Sequence, residues 1–279
     1  MTTQKAVILA AGIGSRMRSG QQSETDLSAE AARVAELGLK GLIPIRGRPF
    51  LDYVIGALLR AGLKRICLVV PPDCDAVLGY AERTSRLAGA EIACAVQMRP
   101  RGTADAVASA RDFAAADPFV VVNCDTLYPV EALARLSRIS DQCPYVVAFD
   151  RDALLRGSNF GQERIRRFAA LVVDEGGVLQ QIVEKPAQPE RYRQHGKLWV
   201  SLNLFRFTPE IFDACRQIQP HPVRGELELT DAVALMAARR AAGRPPFRVI
   251  FSSEGVVDLT TRTDVVTAER LLENRSPGF

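Results

Sequence analysis

The sequence has few of the features that mark several common classes of protein. Its six cysteines form no C-x-x-C pair, and several lie inside apolar runs, which favours buried free thiols over disulfides or a zinc site. No apolar run is long enough to cross a bilayer, and the sequence does not begin with a recognisable signal peptide. We therefore expect a protein of the reducing cytoplasm with no membrane partner.

A strong charge of either sign is missing as well. The 279 residues carry a net charge of +4, which suits small anionic ligands but is too diffuse to indicate nucleic acid as a partner. The arginines at 151, 156, 164, 166 and 167 are interpreted as a solvated loop face. The sequence also has no linker, repeat or low-complexity segment, so a single globular domain is predicted.

The first segment with a definite pattern is an apolar run that ends in a glycine-rich, basic loop. Residues 6–10 predict a buried parallel strand, and the loop continues as Ala11-Gly12-Ile13-Gly14-Ser15-Arg16. Small residues let backbone N–H groups approach a phosphate, and an arginine adds a planar set of donors. Because position 17 is Met and no Gly-Lys-Ser/Thr follows, the loop fits neither a dinucleotide fingerprint nor a Walker A loop. It predicts another kind of phosphate site or an ordinary strand-to-helix turn.

Strands and helices then alternate up to Asp125. The predicted strands are 6–10, 65–70, 91–97 and 119–122, and the predicted helices between them are 49–62, 73–87 and 103–113. This alternation favours a parallel sheet covered by helices on both faces. Ligands collect at the carboxyl ends of the strands in such sheets, so Gly12, Gln97 and Asp125 are expected to converge.

The alternation loosens in the second half of the chain. The predicted strands there are 145–149, 168–173, 178–183, 198–207 and 248–251, and the predicted helices are 131–139, 229–241 and 264–272. Gly176-Gly177 indicates a hairpin between two of the strands. We expect one domain with two lobes, residues 1–127 and 128–279.

Two turns carry residues suited to a nucleotide and a sugar phosphate. Gln97 and Gly102 bracket a turn before a helix that Thr103 could cap, and the Gln amide offers both a donor and an acceptor to a pyrimidine edge. Glu184-Lys185-Pro186 ends a strand, where it is either a surface ion pair or a contact for a polyhydroxyl phosphate. Each motif is weak when taken alone.

Two aspartates follow predicted strands and are candidate metal ligands. Asp125 follows the run 119–122, and Asp258 follows the run 248–251. If the strands are neighbours in a parallel sheet, the carboxylates meet at one edge and repel unless a cation such as Mg²⁺ lies between them. The alternative is that each aspartate caps a turn or helix.

Taken together and in this order, the segments resemble the sugar-1-phosphate nucleotidyltransferases, also called nucleotide-sugar pyrophosphorylases. The resemblance extends over most of the chain. Its matching segments are 9–16, 40–45, 97–107, 123–125, 183–186 and 258–261. The departures are Leu39 for the usual Pro, a longer stretch from 16 to 40, Phe168-Ala169 for Tyr-Gly, and 201–203 (Ser-Leu-Asn) for Asn-Ala-Gly. Many members of the family contact the sugar with Tyr-Gly, so the last two departures leave open which sugar is bound.

The resemblance implies a Rossmann-like three-layer α/β/α fold with a mostly parallel, mixed central sheet. It implies transfer of a nucleotidyl group from an NTP, with UTP or dTTP favoured, to a sugar 1-phosphate with release of pyrophosphate. Residues 1–127 would be the nucleotide-binding lobe and 128–279 the sugar-phosphate lobe. A homo-oligomer is compatible with this interpretation.

The resemblance also assigns site residues. Arg16, Lys40 and Lys185 would be catalytic, Asp125 and Asp258 would hold Mg²⁺, and Glu184, Lys185 and Asn203 would bind the sugar phosphate. The nucleotide would be bound by Ala10, Ala11, Gly12, Gly14, Ser15, Gln97, Gly102 and Thr103.

Two alternatives stay open at this point. A cytidylyltransferase of the same fold acting on phosphocholine or a phosphonate would need a pocket for a cation, to which Trp199, Phe205 and Phe207 could contribute. A non-catalytic regulatory subunit that binds nucleotide sugars would have lost a phosphate-binding or metal-binding residue, and none is lost. Residues 19–38 are expected to form a mobile cap that carries Lys40 to the phosphates.

Overall fold

The computed structural model describes residues 2–12, 17, 27–239 and 243–279. Its strands are β1 (Lys5–Leu9), β2 (Pro44–Ile45), β3 (Arg48–Pro49), β4 (Arg65–Val70), β5 (Glu91–Val96), β6 (Phe119–Asn123), β7 (Thr126–Leu127), β8 (Tyr145–Asp150), β9 (Ala169–Val173), β10 (Leu179–Val183), β11 (Trp199–Phe207), β12 (Arg248–Ser252) and β13 (Val257–Asp258). Its helices are α1 (Ala29–Glu36), α2 (Phe50–Arg60), α3 (Asp75–Ala88), α4 (Thr103–Ser109), α5 (Arg111–Ala114), α6 (Val130–Ser137), α7 (Arg151–Gly157), α8 (Gln162–Ile165), α9 (Glu210–Gln217), α10 (Leu229–Ala238) and α11 (Arg262–Leu271). None of these helices is long and apolar enough to cross a membrane.

Within the described residues, nine strands form one mixed sheet. Strands β6, β1, β4 and β5 are neighbours in that order and all run parallel. On the other side of β6 the direction reverses, because β11 runs antiparallel to β6, β8 and β9. The β9–β10 hairpin extends the sheet beyond β11, and β12 adds to β8 in parallel. The predicted mixed sheet with a parallel core is confirmed.

Alternate residues of β1 face opposite sides of the sheet. Ala6 and Ile8 belong to one hydrophobic core with residues of α2 and α6, whereas Val7 and Leu9 belong to a second core with residues of α4, α9 and α10. Because both faces are covered, the strand is apolar without interruption instead of alternating with polar residues. The predicted three-layer α/β/α arrangement follows directly from this.

The structure corrects some predicted boundaries. The helix predicted over 103–113 is broken at Ala110, whose N–H bonds to Val107 O three residues back and closes the turn tightly. A strand is predicted from the apolar residues 42–45, but Lys40–Leu42 form a 3₁₀ turn and only Pro44–Ile45 form strand β2. Ser28 caps α1, with its Oγ accepting from the Ala31 N–H at 3.2 Å. Residues 19–26 of the predicted cap segment lie outside the described residues.

Candidate active site

Two neighbouring cavities lie at the carboxyl ends of the parallel strands. The large cavity has a volume of about 410 Å³ and the small cavity about 110 Å³. Asn123 and Asn203 line both cavities, which therefore meet at these two side chains. The predicted site residues that line the large cavity are Ala10, Ala11, Gly12, Lys40, Gln97, Gly102, Thr103, Asp125 and Asn203.

The small cavity brings in a second group of predicted residues. Glu184 and Asp258 line its wall, together with Thr126 and Ser201. Lys185 lines neither cavity. Gly14, Ser15 and Arg16 lie outside the described residues. Gly12, Gln97 and Asp125 converge at the large cavity, as the parallel-sheet argument predicted.

A mostly buried ion pair joins Lys40 to Asp125 in the large cavity. Lys40 Nζ lies 2.8 Å from Asp125 Oδ2, and the two side chains are only 17% and 19% exposed. Burial alone would lower the pKa of Lys40, but the attraction and hydrogen bond of Asp125 outweigh it and the pKa is raised. Lys40 is therefore a charged group that holds one oxygen of Asp125, and its contact with phosphate stays a prediction.

Asp258 does not lie in the main sheet, and the predicted neighbouring parallel strands are wrong. It belongs to β13, which pairs antiparallel with β7 so that Asp258 faces Thr126. Leu259 N–H continues this pairing by donating to Asp125 O at 2.8 Å. The two aspartates are neighbours because these two short segments are hydrogen-bonded to each other.

The interpretation of Asp258 as a cap for the last helix is also wrong. Helix α11 is capped by Thr261, whose N–H donates to Asp264 Oδ2 at 2.7 Å. Asp258 instead accepts hydrogen bonds from the hydroxyls of Thr126 and Thr260, each at 2.9 Å. Its carboxylate is thus oriented by side chains that do not belong to a helix terminus.

Arg164 binds Asp258, although the sequence placed it on a solvated face. Its guanidinium forms an ion pair with Asp258 Oδ1 and a second with Asp264 Oδ2, the latter at 3.0 Å. The group also lies over the ring of Phe160, 4.7 Å from its centre. The side chain is only 18% exposed, so the solvated assignment is wrong for this arginine. Nothing in the run Arg164-Ile165-Arg166-Arg167 distinguishes it from its neighbours.

The two aspartates fit a Mg²⁺ ion, which the resemblance implies. Burial and the nearby Asp125 charge raise the pKa of Asp258 to about 6 despite the opposing effect of Arg164, so a further cation beside it would stabilise its charged form. Asp125 Oδ1 accepts no hydrogen bond from the described residues, and Asp258 Oδ2 accepts one, from Thr126. No three His, Cys, Asp or Glu side chains converge in the described part of the chain, so water and phosphate would supply the other oxygen ligands.

Gln97 is used differently from the sequence prediction. Its side-chain Nε2 donates to Gly102 O at 3.1 Å and to Asp105 Oδ2 at 2.8 Å, which closes the turn before α4. Both amide hydrogens are therefore engaged within the protein. The buried side chain keeps only its oxygen for a ligand in the large cavity, so the predicted donor is not available.

A segment that the sequence analysis missed packs against this turn. Leu227 N–H donates to Arg101 O at 2.6 Å, and Ala104 N–H donates to Leu227 O at 2.9 Å. Thr103 does not cap α4, whose N-cap is Gly102; its hydroxyl instead accepts from the Leu229 N–H at 2.9 Å. The predicted Thr103 cap is wrong because this longer-range contact takes the hydroxyl.

The same segment brings two acids to the large cavity. Glu226 and Glu228 both line it, and Arg224 Nη2 lies 2.6 Å from Glu228 Oε1. Burial and the nearby Glu184 carboxylate raise the pKa of Glu228. The alternation Glu226-Leu227-Glu228-Leu229 before an apolar helix is the signal in the sequence from which this segment could have been identified.

Replacing Gly102 by alanine is expected to disrupt the turn. Gly102 has φ +110°, and a Cβ there would lie 2.6 Å from Leu227 O and 2.7 Å from Leu227 N. The strained backbone alone should cost about 1–3 kcal/mol of unfolding free energy, with the clash adding to it. Gly161→Ala is the matched control, since a Cβ at Gly161 meets nothing within 4 Å. Urea unfolding curves of both variants measure the difference; equal stabilities would contradict the close approach.

Asn203 and Lys185 adopt left-handed backbone conformations near the small cavity. Their φ angles are +59° and +45°, which is uncommon for residues other than glycine. The pairing of β11 shifts register between Ser201 and Phe205, and Asn203 lies within this irregularity. Such bulges redirect a side chain, and here it lines both cavities. Lys185 Nζ lies 3.3 Å from Glu184 Oε1.

Of the aromatic residues that kept a phosphocholine pocket open, Phe205 and Phe207 lie in the protein interior and Trp199 is half-buried. Phe205 and Phe207 are fully buried and stack on each other at 5.0 Å. Trp199 packs against Phe251 with ring centres 4.5 Å apart. None of the three lines either cavity, so these aromatic residues do not support the phosphocholine alternative.

A three-layer α/β/α fold with two joined cavities at the carboxyl ends of its parallel strands has the arrangement in which such proteins bind small ligands. Residues 5–250 match the protein family described as Nucleotidyl transferase, and the chain belongs to this family.

Named relatives agree with this assignment. The chain is 29% identical over 234 residues to the low-salt glycan biosynthesis nucleotidyltransferase Agl11 of Haloferax volcanii, which covers 82% of this chain and 56% of Agl11. It is 27% identical over 274 residues to a glucose-1-phosphate thymidylyltransferase of Streptomyces griseus, covering 98% of this chain and 67% of that protein. Its fold is similar to that of a UDP-glucose pyrophosphorylase solved with UDP-glucose, with a TM-score of 0.72 and 18% identity over 98% of this chain and all of that one.

Proposed function

We propose that the protein transfers a nucleotidyl group from an NTP to a sugar 1-phosphate and releases pyrophosphate. The junction of the two cavities carries this proposal. The large cavity extends from Gly12 and Gln97 to Asp125, the small cavity extends from Asp258 to Glu184, and both share Asn123 and Asn203. A nucleotide in the large cavity and a sugar phosphate in the small cavity would bring their phosphates together at this junction.

The reaction needs positioning more than it needs a protein nucleophile. An oxygen of the sugar 1-phosphate forms a bond to the α-phosphorus of the NTP, and the bond from that phosphorus to the β-phosphate oxygen breaks. The chain's residues would align the two phosphates and offset their charge. In this proposal Lys185 holds the sugar phosphate, Glu184 accepts from a sugar hydroxyl, and Arg16 holds the leaving phosphates.

Asp125 and Asp258 would hold Mg²⁺, which when bound supplies a Lewis acid that offsets charge on the transferring phosphate. Lys40 binds one oxygen of Asp125, and the other accepts no hydrogen bond from the described residues. Arg164 and Thr260 bind Oδ1 of Asp258, whose Oδ2 accepts only from Thr126. The residues therefore present a prearranged pair of carboxylate oxygens.

UTP or dTTP is expected to be a better substrate than ATP or GTP. The resemblance favours a pyrimidine nucleotide, and the Oε1 of Gln97 is an acceptor that suits the N3–H of uracil or thymine. Pyrophosphate release is measured with each nucleotide at equal concentration and a fixed sugar 1-phosphate. A clear preference for a purine nucleotide would contradict this base assignment without contradicting nucleotidyl transfer.

The same assay separates the alternatives. Phosphocholine and a phosphonate with CTP are included beside several sugar 1-phosphates, and reactions without any acceptor serve as the control. Acceptor-dependent pyrophosphate release with a sugar 1-phosphate supports the proposal. Release only with CTP and phosphocholine or the phosphonate, or no release combined with tight binding of nucleotide sugars, would overturn it.

A further inference from the structure

One of the residues that line the small cavity, Arg167, is an exposed arginine whose charge no protein group neutralises. Its guanidinium has no hydrogen bond or ion pair with any residue that the structure describes. The two carboxylates on the same wall already have cations, since Lys185 lies 3.3 Å from Glu184 and Arg164 is bound to Asp258. Arg167 is therefore available to a ligand.

Arg167 is placed at the cavity by a fixed turn. Its N–H donates to Arg164 O at 3.1 Å, and the next residue, Phe168, donates to Ile165 O at 3.1 Å. Arg164 is itself held by Asp258 and Asp264, and Phe168 packs edge-on against Phe160 with ring centres 5.0 Å apart. The turn that carries Arg167 is thus attached to the cavity wall on both sides.

Arg167 does not lie at the junction where the reacting phosphate belongs. Asn123 and Asn203 line both cavities, whereas Arg167, Phe168 and Ala169 line only the small one. A neutral sugar would leave the guanidinium without a charged partner, whereas a carboxylate matches its planar pair of donors.

We infer that the sugar 1-phosphate carries a second anionic group, a carboxylate, which Arg167 binds in the small cavity. This inference rests on the proposed function and adds the class of sugar, an acidic one. It places Arg167, together with Phe168 and Ala169, among the residues that select the sugar. These lie in the segment where the sequence departs from its family.

Two probes that differ only at one position test this inference. Glucose 1-phosphate and glucuronic acid 1-phosphate have the same ring and the same phosphate, and only the second has a carboxylate. We expect the wild-type protein to have the higher kcat/KM for glucuronic acid 1-phosphate at saturating UTP. Arg167→Gln should lower the ratio of the two kcat/KM values by about 10- to 100-fold, the factor that loss of a charge-assisted hydrogen bond gives.

The matched control is Arg166→Gln, which makes the same charge change one residue earlier. Arg166 is exposed, has no side-chain partner among the described residues and lines neither cavity, so the ratio should stay at its wild-type value. An equal loss on both substrates in Arg167→Gln would place the guanidinium at the 1-phosphate and overturn the inference. So would a wild-type preference for glucose 1-phosphate.

Binding of the two products gives a readout that does not depend on turnover. Isothermal titration with UDP-glucuronic acid and UDP-glucose should show tighter binding of the acidic product to the wild-type protein and a loss of that difference in Arg167→Gln. Equal affinities in the wild type would overturn the inference. If neither product binds and no sugar 1-phosphate releases pyrophosphate with any NTP, the proposed function is wrong, not only the class of sugar.

Discussion

Replacing Asp125 by alanine is expected to lower kcat by about 10²-fold or more, by analogy with the loss of one group that stabilises developing charge. The carboxylate offers an open oxygen at the edge of the large cavity, and the change also releases Lys40 from its ion pair. The fold should survive because the side chain contributes to no hydrophobic core. The measurements are steady-state kinetics over a range of Mg²⁺ concentrations and a thermal unfolding curve.

Asp117→Ala is the control for this experiment. Asp117 precedes β6 and Asp125 follows it, so the two acids lie at opposite ends of one strand. Asp117 is also paired with a lysine, since Lys5 Nζ lies 2.8 Å from it, and Lys5 keeps two backbone carbonyl acceptors when the acid is removed. Near-normal Mg²⁺-dependent turnover in Asp125→Ala would show that the proposed metal site is assigned to the wrong residue.

Replacing Arg164 by methionine should cost about 3 kcal/mol of unfolding free energy, since it removes one member of a mostly buried ion pair. Asp258 and Asp264 would lose their shared cation while only 11% and 10% exposed, and Asp258 already lies beside the Asp125 charge. For a chain of this size the melting temperature should fall by roughly 6–12 °C. Differential scanning calorimetry in the absence of divalent ions measures the change.

Arg166→Met removes the same charge from an exposed side chain and should change stability by less than about 0.5 kcal/mol. A second readout is the effect of Mg²⁺ on melting, which should be larger in Arg164→Met than in wild type because the carboxylates have lost a cation. If the two arginine variants melt at the same temperature, Arg164 does not hold the carboxylates as described.

The architecture was predictable because its signals are local. A few neighbouring residues are enough to identify each element. Examples are the apolar run of β1, the spacing of apolar residues in α2 and the glycines that follow several elements. Alternation of these elements then implies a parallel sheet and a ligand site at its carboxyl edge. Gly12, Gln97 and Asp125 met at the large cavity for that reason.

The contacts that determine the site's chemistry were not predictable in the same way. Asp258 reaches the site through β13, a strand of two residues whose partner Thr126 is 132 positions away, and so short a strand has no periodicity. The residues that flank Arg164 in the sequence resemble those that flank Arg166 and Arg167. Only the tertiary structure distinguishes the mostly buried Arg164 from the two exposed arginines. Thr103 follows a turn as a cap residue would, yet its hydroxyl binds Leu229 from another segment.

The position of β11 has a consequence for how the chain folds during synthesis. β6 is complete at Asn123, but its antiparallel neighbour begins only at Trp199, so one edge of β6 has no partner while the intervening residues are made. An uncovered apolar strand edge can pair with another chain. Because this pairing is non-local, it is also slow to form. While the ribosome-bound chain is being extended from β6 to β11, this edge of β6 stays uncovered, and chaperone contact during translation should be concentrated there.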